Sequence, residues 1–272
     1  MKHLVLGSRG QIGSHLVRYL EKQGEQVFEF DILNEEYQDL RLNSNPLLEA
    51  YMQNCDIVHF LAFDVGGAKY LEQYQDSHNF IMNNMKIMVN TFDLLRRYNK
   101  PFIFASSQMA ELRYSTYGIL KLMGEKLTQT LGGLVVKFWN VYGYEHDEEK
   151  SHVITDFIKM AKYDKEIYMR TDGTESRQFL YADDACECLL ILAKKYPLIP
   201  RNENLHITSF KWTTINEVAN IIDVLTSCDI HRAIRKDETQ RNAMNEPDGF
   251  ILNYWRPTTS LENGIMKLLN AY

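Results

Sequence analysis

The chain has 272 residues, 45% apolar and 24% charged, with 36 acidic and 30 basic side chains and a formal net charge of −6. That length suits one large α/β domain or a domain with a smaller lobe, and the lack of a basic block argues against nucleic acid as a partner. No apolar run is long enough to cross a bilayer, the early first strand is expected to leave no room for a signal peptide, and Cys55, Cys186, Cys188 and Cys228 read as free thiols with no metal site, so the expected location is the cytoplasm.

The first strand is expected over residues 3–6. Gly7 breaks it, Gly10 and Gly13 follow at three-residue spacing, and Ile12, Leu16, Val17 and Leu20 then mark one face of a helix. Strand, glycine turn and helix in this order form a dinucleotide cradle. The first glycine makes the turn, the second admits a pyrophosphate, and the third lets the helix pack on the strand, so the phosphates sit at the positive helix end. Arg9, Gln11 and Ile12 lie within the turn and join the glycines as candidate cofactor contacts. A second strand over 26–31 ends at Asp31, where a carboxylate would bind both ribose hydroxyls of NAD and repel the 2′-phosphate of NADP. Arg9 is a nearby cation that could serve that phosphate instead.

A polar loop over 34–45, a short helix over 46–53 and a buried strand over 57–61 come next. The stretch Ala62-Phe63-Asp64-Val65-Gly66-Gly67 then reads as either a flexible connector or backbone left exposed at a strand end, where ligands of open α/β sheets bind. A long helix is expected over 79–98, a strand over 101–105 running into Ser106-Ser107, a helix over 117–130, and a strand over 134–138 ending in Trp139-Asn140. Strands that alternate with helices imply a parallel sheet. Beyond an acidic loop over 145–150, the pattern gives a helix over 153–163, a short strand over 167–170, and a turn over 171–174. A segment from Arg177 to Asp184 leads into a helix over 185–194, and a strand over 204–208 follows. Thr214 and Glu217 form a capping box opening a helix to residue 225, and a last helix begins after Trp255. Residues 1–143 read as a dinucleotide-binding domain and 144–272 as a smaller substrate lobe, with 178–195 returning to the first.

Tyr117 and Lys121 stand one helical turn apart on the same face. A lysine ammonium stabilises a phenolate, as a nicotinamide cation would, and both are expected to lower the phenol from about 10. A tyrosine so placed can exchange a proton with a sugar hydroxyl while hydride moves at the same carbon. Ser107, at the end of the preceding strand, would hydrogen-bond that hydroxyl. As an isolated match the spacing is common; its position after the dinucleotide cradle gives it weight.

These motifs together resemble the extended short-chain dehydrogenase/reductases, in the NAD-dependent sugar-nucleotide epimerase/dehydratase group. The resemblance covers Gly7, Gly10 and Gly13, Asp31, Asp39-Leu40, Leu61-Ala62, Asn84, the Ser107/Tyr117/Lys121 triad, Phe138 to Gly143 with Lys137 where the family carries Arg, the Arg177 to Asp184 segment, and the tail from Trp255. It implies a Rossmann-type, doubly wound parallel sheet with a smaller C-terminal substrate lobe, and NAD as cofactor. Asp39 and Leu40 would contact adenine, Leu61, Ala62 and Asn84 would lie near the cofactor, and Tyr117 and Lys121 would touch it as well as act in catalysis. Asn140 would contact the substrate near its phosphates and Arg177 would bind the diphosphate of a nucleotide sugar, a role that suits a guanidinium fork. Val65, Gly66 and Gly67, with Ser107 and Gln108, are the remaining candidate substrate contacts. The Phe63 to Gly67 stretch is similar to the sugar loop of GDP-mannose 3,5-epimerases and GDP-fucose synthases, which favours a GDP-sugar.

Three departures shape the expected reaction. Ser107 and Tyr117 are only ten residues apart, where the family has about twenty-five, so the loop over the sugar is short and the site more open or differently built. Gln108, Met109 and Ala110 follow Ser107 where dehydratases carry an acid, with Glu111 out of register, which counts against 4,6-dehydration. No cysteine lies near Ser107, which counts against 3,5-epimerisation. The favoured reading is hydride transfer at a sugar carbon, C4 by preference, in an epimerase; a dehydrogenase or ketoreductase that exchanges its cofactor uses the same residues. A non-catalytic NAD(P) sensor or scaffold and an amino-acid dehydrogenase are the alternatives from other classes. Family dimers pair the two helices over 79–98 and 117–130, which points to a homodimer using Met82, Met85, Ile87, Met88, Met123 and Leu127.

Overall fold

The computed structural model describes residues 1–238, 241 and 245–272. Its first half runs β1 (Lys2–Leu6), α1 (Gln11–Lys22), β2 (Gln26–Phe30), α2 (Pro46–Asn54), β3 (Ile57–Phe60), α3 (Ala68–Tyr74), α4 (His78–Tyr98), β4 (Phe102–Ser107), α5 (Thr116–Thr130), β5 (Leu134–Phe138) and β6 (Asn140–Tyr142). The second half adds α6 (Val153–Tyr163), β7 (Glu166–Tyr168), β8 (Ser176–Tyr181), α7 (Ala182–Lys194), β9 (Leu205–Ile207), β10 (Trp212–Thr214), α8 (Ile215–Thr226), β11 (Asp229–His231) and α9 (Leu261–Ala271).

The central sheet has the order β2-β1-β3-β4-β5-β9, with each pair parallel. Strand residues alternate between its two faces. Leu4, Leu6, Val58, Phe60, Phe102 and Phe104 point to the face covered by α2, α4 and α5. Val5, Ile57, Ile103, Ala105 and Val136 point to the other, covered by α1 and α7. Helices on both faces of a parallel sheet make this the doubly wound Rossmann type. β6 does not join that sheet; it pairs with β8, which pairs with β10. A third core packs α6, α8 and α9 against this small sheet. The chain thus crosses between the two sheets more than once, and the long cleft lies where it does so.

The differences from the sequence pattern have physical causes. α3 is seven residues long, with Leu71 buried and Tyr70 and Tyr74 packed beside it, too short a run for periodicity to reveal it. The helix expected from residue 185 starts at Ala182, which places Asp183 and Asp184 in its first turn, where carboxylates complement the positive helix end. Asp184 also accepts hydrogen bonds from the amides and hydroxyls of Thr258 and Thr259, fixing the tail beside it. Met88, expected on an outer helix surface, belongs to the core at 2% exposure. The apolar side chains that α4 and α5 leave exposed are Val89, Ile119, Leu122, Met123 and Leu127.

One buried pair predicts a pH dependence. His3 on β1 and His59 on β3 are fully buried and stacked, with Nδ1 of His3 and Nε2 of His59 2.9 Å apart. Burial lowers His3 and lowers His59 to about 3, with His3 adding to the effect on His59. The folded state therefore holds these rings neutral, while the unfolded chain protonates them near 6.5. Their contribution is complete above that pH and is lost as pH falls below it, for His59 down to about 3, at a slope of up to about 1.4 kcal/mol per unit for each ring. Urea midpoints measured between pH 7 and 4 should fall accordingly, and replacing both rings by phenylalanine should flatten the trend. An unchanged slope would show that other groups set it.

Candidate active site

A cleft of about 720 Å³ runs along the C-terminal ends of the central strands and under the second-half elements. Gly7, Arg9, Gly10, Gln11, Ile12 and Gly13 line one end. A Cβ on Gly13 would stand 1.9 Å from the Gly7 carbonyl oxygen, and one on Gly7, at φ +85°, would stand 2.7 Å from the Ala62 amide. Both glycines are therefore demanded by packing. Gly10, by contrast, has only the Gly7 oxygen near its missing Cβ, at 3.4 Å, and the first turn of α1 has no side-chain cap. Open space in front of uncapped amides at a helix start fits a pyrophosphate.

At the end of β2 the Asp31 carboxylate accepts the Arg9 and Leu33 amides, each at 2.9 Å. The Arg9 guanidinium is turned to Asn34, at 2.5 Å, and lies 3.8 Å from Glu29. That cation is thus already countered by a carboxylate, which disfavours its use for a 2′-phosphate and fits NAD. Gln38, Asn34 and Ser8 form the hydrogen-bonded frame of this loop; nothing in the sequence pattern singles them out. Asp39, Leu40, Leu61 and Ala62 also line the cleft, with the Asp39 carboxylate held by Arg41. Asn84 does not. It is fully buried, and its amide group bonds the backbone of Asp64 and Phe80, so it shapes the loop after β3 rather than facing a cofactor.

In mid-cleft, Ser107 ends β4 and Tyr117 and Lys121 project from α5, where the Ser115 hydroxyl caps the helix through the Gly118 amide. All three line the cleft. Burial raises the Tyr117 phenol to about 12, against a hydrogen bond with Ser107 that opposes the shift. Burial lowers Lys121 to about 7, with Glu125 pulling the other way. The expected depression of the phenol by Lys121 is therefore not found in the protein alone. The ammonium donates to the Ala105 carbonyl at 2.7 Å, and desolvation sets the direction of the phenol's shift. Behind them, Lys137 lies 2.9 Å from Glu111 and 3.7 Å from Glu125, and Ser106 donates to Glu125 at 2.5 Å. Glu111 is thereby tied to Lys137, outside the cleft lining.

The loop carrying Val65, Gly66 and Gly67 corrects an expectation. All three residues line the cleft, but Gly66 and Gly67 are buried rather than exposed. A Cβ on Gly66 would stand 2.7 Å from Tyr70, and one on Gly67 would stand 2.2 Å from the Ser151 oxygen. The glycines are there so that the 145–152 loop can pack against the start of α3. Asp64 anchors the same junction by accepting from Tyr70, Asn83 and Lys150. Asn140 and Gln108 each have a buried side-chain oxygen without a partner among the described residues, and both line the cleft. Arg177 lines it too. It is 6% exposed, donates to the Ser176 carbonyl at 2.7 Å, and is ion-paired with Asp237.

Sequence reasoning did not single out an imidazole–carboxylate pair that lines the cleft. His152, just ahead of α6, meets the Glu145 carboxylate at 2.5 Å and gives it its amide at 3.0 Å. Burial would lower this imidazole, yet Glu145 outweighs it and raises the ring above its usual value. Glu145 is itself placed by the Tyr272 hydroxyl, which accepts its amide at 2.8 Å. The signal available in sequence was one histidine after an acidic run, which reads as solvated loop.

A family model described as the NAD dependent epimerase/dehydratase family matches residues 3–208. A GDP-mannose 3,5-epimerase of Oryza sativa subsp. indica is 27% identical over 311 aligned positions, covering 96% of this chain and 79% of that protein. A GDP-L-fucose synthase of Sinorhizobium fredii is 24% identical over 306 positions, covering 98% and 94%. Among solved structures, the UDP-glucose 4-epimerase of Thermotoga maritima with UDP-glucose superposes with a TM-score of 0.81 at 21% identity, over 99% of this chain and 98% of that one. At that identity the match establishes the fold.

Proposed function

Since the chain belongs to the NAD-dependent epimerase/dehydratase family of enzymes, we propose that it performs redox chemistry at one carbon of a nucleoside-diphosphate sugar, with C4 epimerisation as the net reaction. The observation that carries this reading is the convergence of Ser107, Tyr117 and Lys121 in mid-cleft, between the uncapped start of α1 and the buried Arg177. Bound NAD supplies a hydride acceptor. Tyr117 exchanges the proton of the sugar oxygen, Ser107 orients that oxygen through its hydroxyl, and Lys121 supplies positive charge beside the phenol. Asn140 and Gln108 offer acceptors for sugar hydroxyls, and Arg177 holds the diphosphate. Glu111, tied to Lys137, is not placed to act as the acid of a dehydration. The kinship to GDP-mannose and GDP-fucose enzymes favours a GDP-sugar.

The His152–Glu145 pair favours a second reading, in which a proton on carbon beside a transient ketone is exchanged, as in 3,5-epimerisation. Incubation with GDP- and UDP-sugars in D₂O separates the two. C4 epimerisation returns the same hydride and leaves C–H positions unlabelled, whereas carbon-acid chemistry brings deuterium into the product. Inertness towards every nucleotide sugar would overturn both.

We further propose a homodimer through the exposed apolar side chains of α4 and α5. Light scattering should then give twice the chain mass of 31.9 kDa, and a monomer in dilute solution would refute it.

A further inference from the structure

Lys121 is an ammonium at 3% exposure with, among the described residues, no carboxylate at ion-pair distance. On its own helix, Glu125 is the nearest acid, but that carboxylate is committed to Ser106 and lies 3.7 Å from Lys137. Also on α5, Tyr117 presents a phenol. From the loop after β3, Asp64 is taken by Tyr70, Asn83 and Lys150. From β4 come the Ala105 carbonyl, which accepts from the ammonium, and the ring of Phe104. The ammonium is surrounded instead by rings, with Phe63 at 3.7 Å, Phe104 at 5.2 Å and Tyr117 at 5.8 Å from Nζ to each centroid. Phe104 is locked in the sheet core, whereas Phe63 stands partly exposed on the cleft wall and meets Tyr117 edge-on at 5.8 Å.

An isolated buried charge is costly, and an aromatic face within about 6 Å attracts a cation, more strongly when water is excluded. We propose that Phe63 is a positioning residue whose ring face replaces a carboxylate as the partner of Lys121, keeping its charge beside Tyr117. The ring compensates the ammonium without introducing an anion that would oppose a phenolate. This rests on the acid–base reading of Tyr117 and Lys121 given above.

The test is a lysine titration by NMR on protein carrying ¹³C-labelled lysine, with the Lys121 signal identified by Lys121→Arg and no cofactor or substrate added. Phe63→Leu keeps a dry apolar side chain but removes the ring face. Its Lys121 should lose its proton about half a unit to one unit lower in pH than the wild type, and Phe63→Tyr should restore the native value. If Phe63→Leu does not fold, Phe63→Met carries the same expectation. A Lys121 titration unmoved by loss of the ring, or moved as far by Phe63→Tyr, would overturn the proposal. Turnover of nucleotide sugars by the wild type tests the reaction separately; an inert chain with the expected Lys121 shift would remove the reaction assignment and keep the assignment of Phe63.

Discussion

Replacing Tyr117 by phenylalanine is expected to lower turnover of the nucleotide sugar by about 10²–10⁴-fold, the usual worth of a positioned acid–base group, with NAD affinity and fold retained. The side chain is 9% exposed and packed against Phe63, so phenylalanine fills the same space. What is lost is the hydroxyl and its bond with Ser107, a change of about 1 kcal/mol in stability. The phenol is held near 12 in the protein alone, so at neutral pH it rests protonated. It can give a proton to a ketone at once, but takes one from an alcohol only when positive charge gathers beside it. Lys121 stands beside it, and its own proton is held only up to about pH 7. A Tyr117→Phe variant that turns over as the wild type does would show that another group moves the proton, with His152 the next to examine.

Arg177→Ala is the second large expectation. A guanidinium fork binding a diphosphate makes charge-assisted bonds, and its removal should weaken binding of nucleoside diphosphates by about 10²-fold or more. In the protein alone this arginine is paired with Asp237, and both side chains are nearly buried. Removing it also breaks that nearly buried ion pair, so folding stability should drop by up to about 3 kcal/mol. Arg177→Lys keeps a charge without the fork and should recover part of the stability but little of the affinity. Calorimetry with GDP, UDP and NAD reads the effect directly: the diphosphates should lose affinity while NAD does not. Equal affinity of the variant for GDP would place the diphosphate elsewhere.

The glycine-rich end of the cleft was legible in sequence because its parts are local. Gly7, Gly10 and Gly13 act within one turn, and Asp31 stands at the end of the next strand, so spacing alone fixes their relation. The Tyr117–Lys121 spacing is likewise internal to one helix. The parallel sheet followed from strands that alternate with helices, whereas the apolar run of β4 divides between two faces only in the fold, Phe102 and Phe104 on one and Ile103 and Ala105 on the other. Sequence by itself therefore determined the fold class, the family and the cofactor.

Only the tertiary structure decided what depends on contacts between distant segments. Gly66 and Gly67 look like an open ligand loop until Ser151 and Lys150 arrive from more than eighty residues away and fill the space. Asn84 looks like a cofactor contact until the Asp64 backbone claims its amide. Glu111, Lys137 and Glu125 become one network, and His152 acquires Glu145, through packing that no local pattern encodes. The charge states follow the same division. Whether a phenol or an ammonium gains or loses a proton is set by how much water is excluded and by which groups remain within a few ångströms. Those two quantities exist only once the chain is folded.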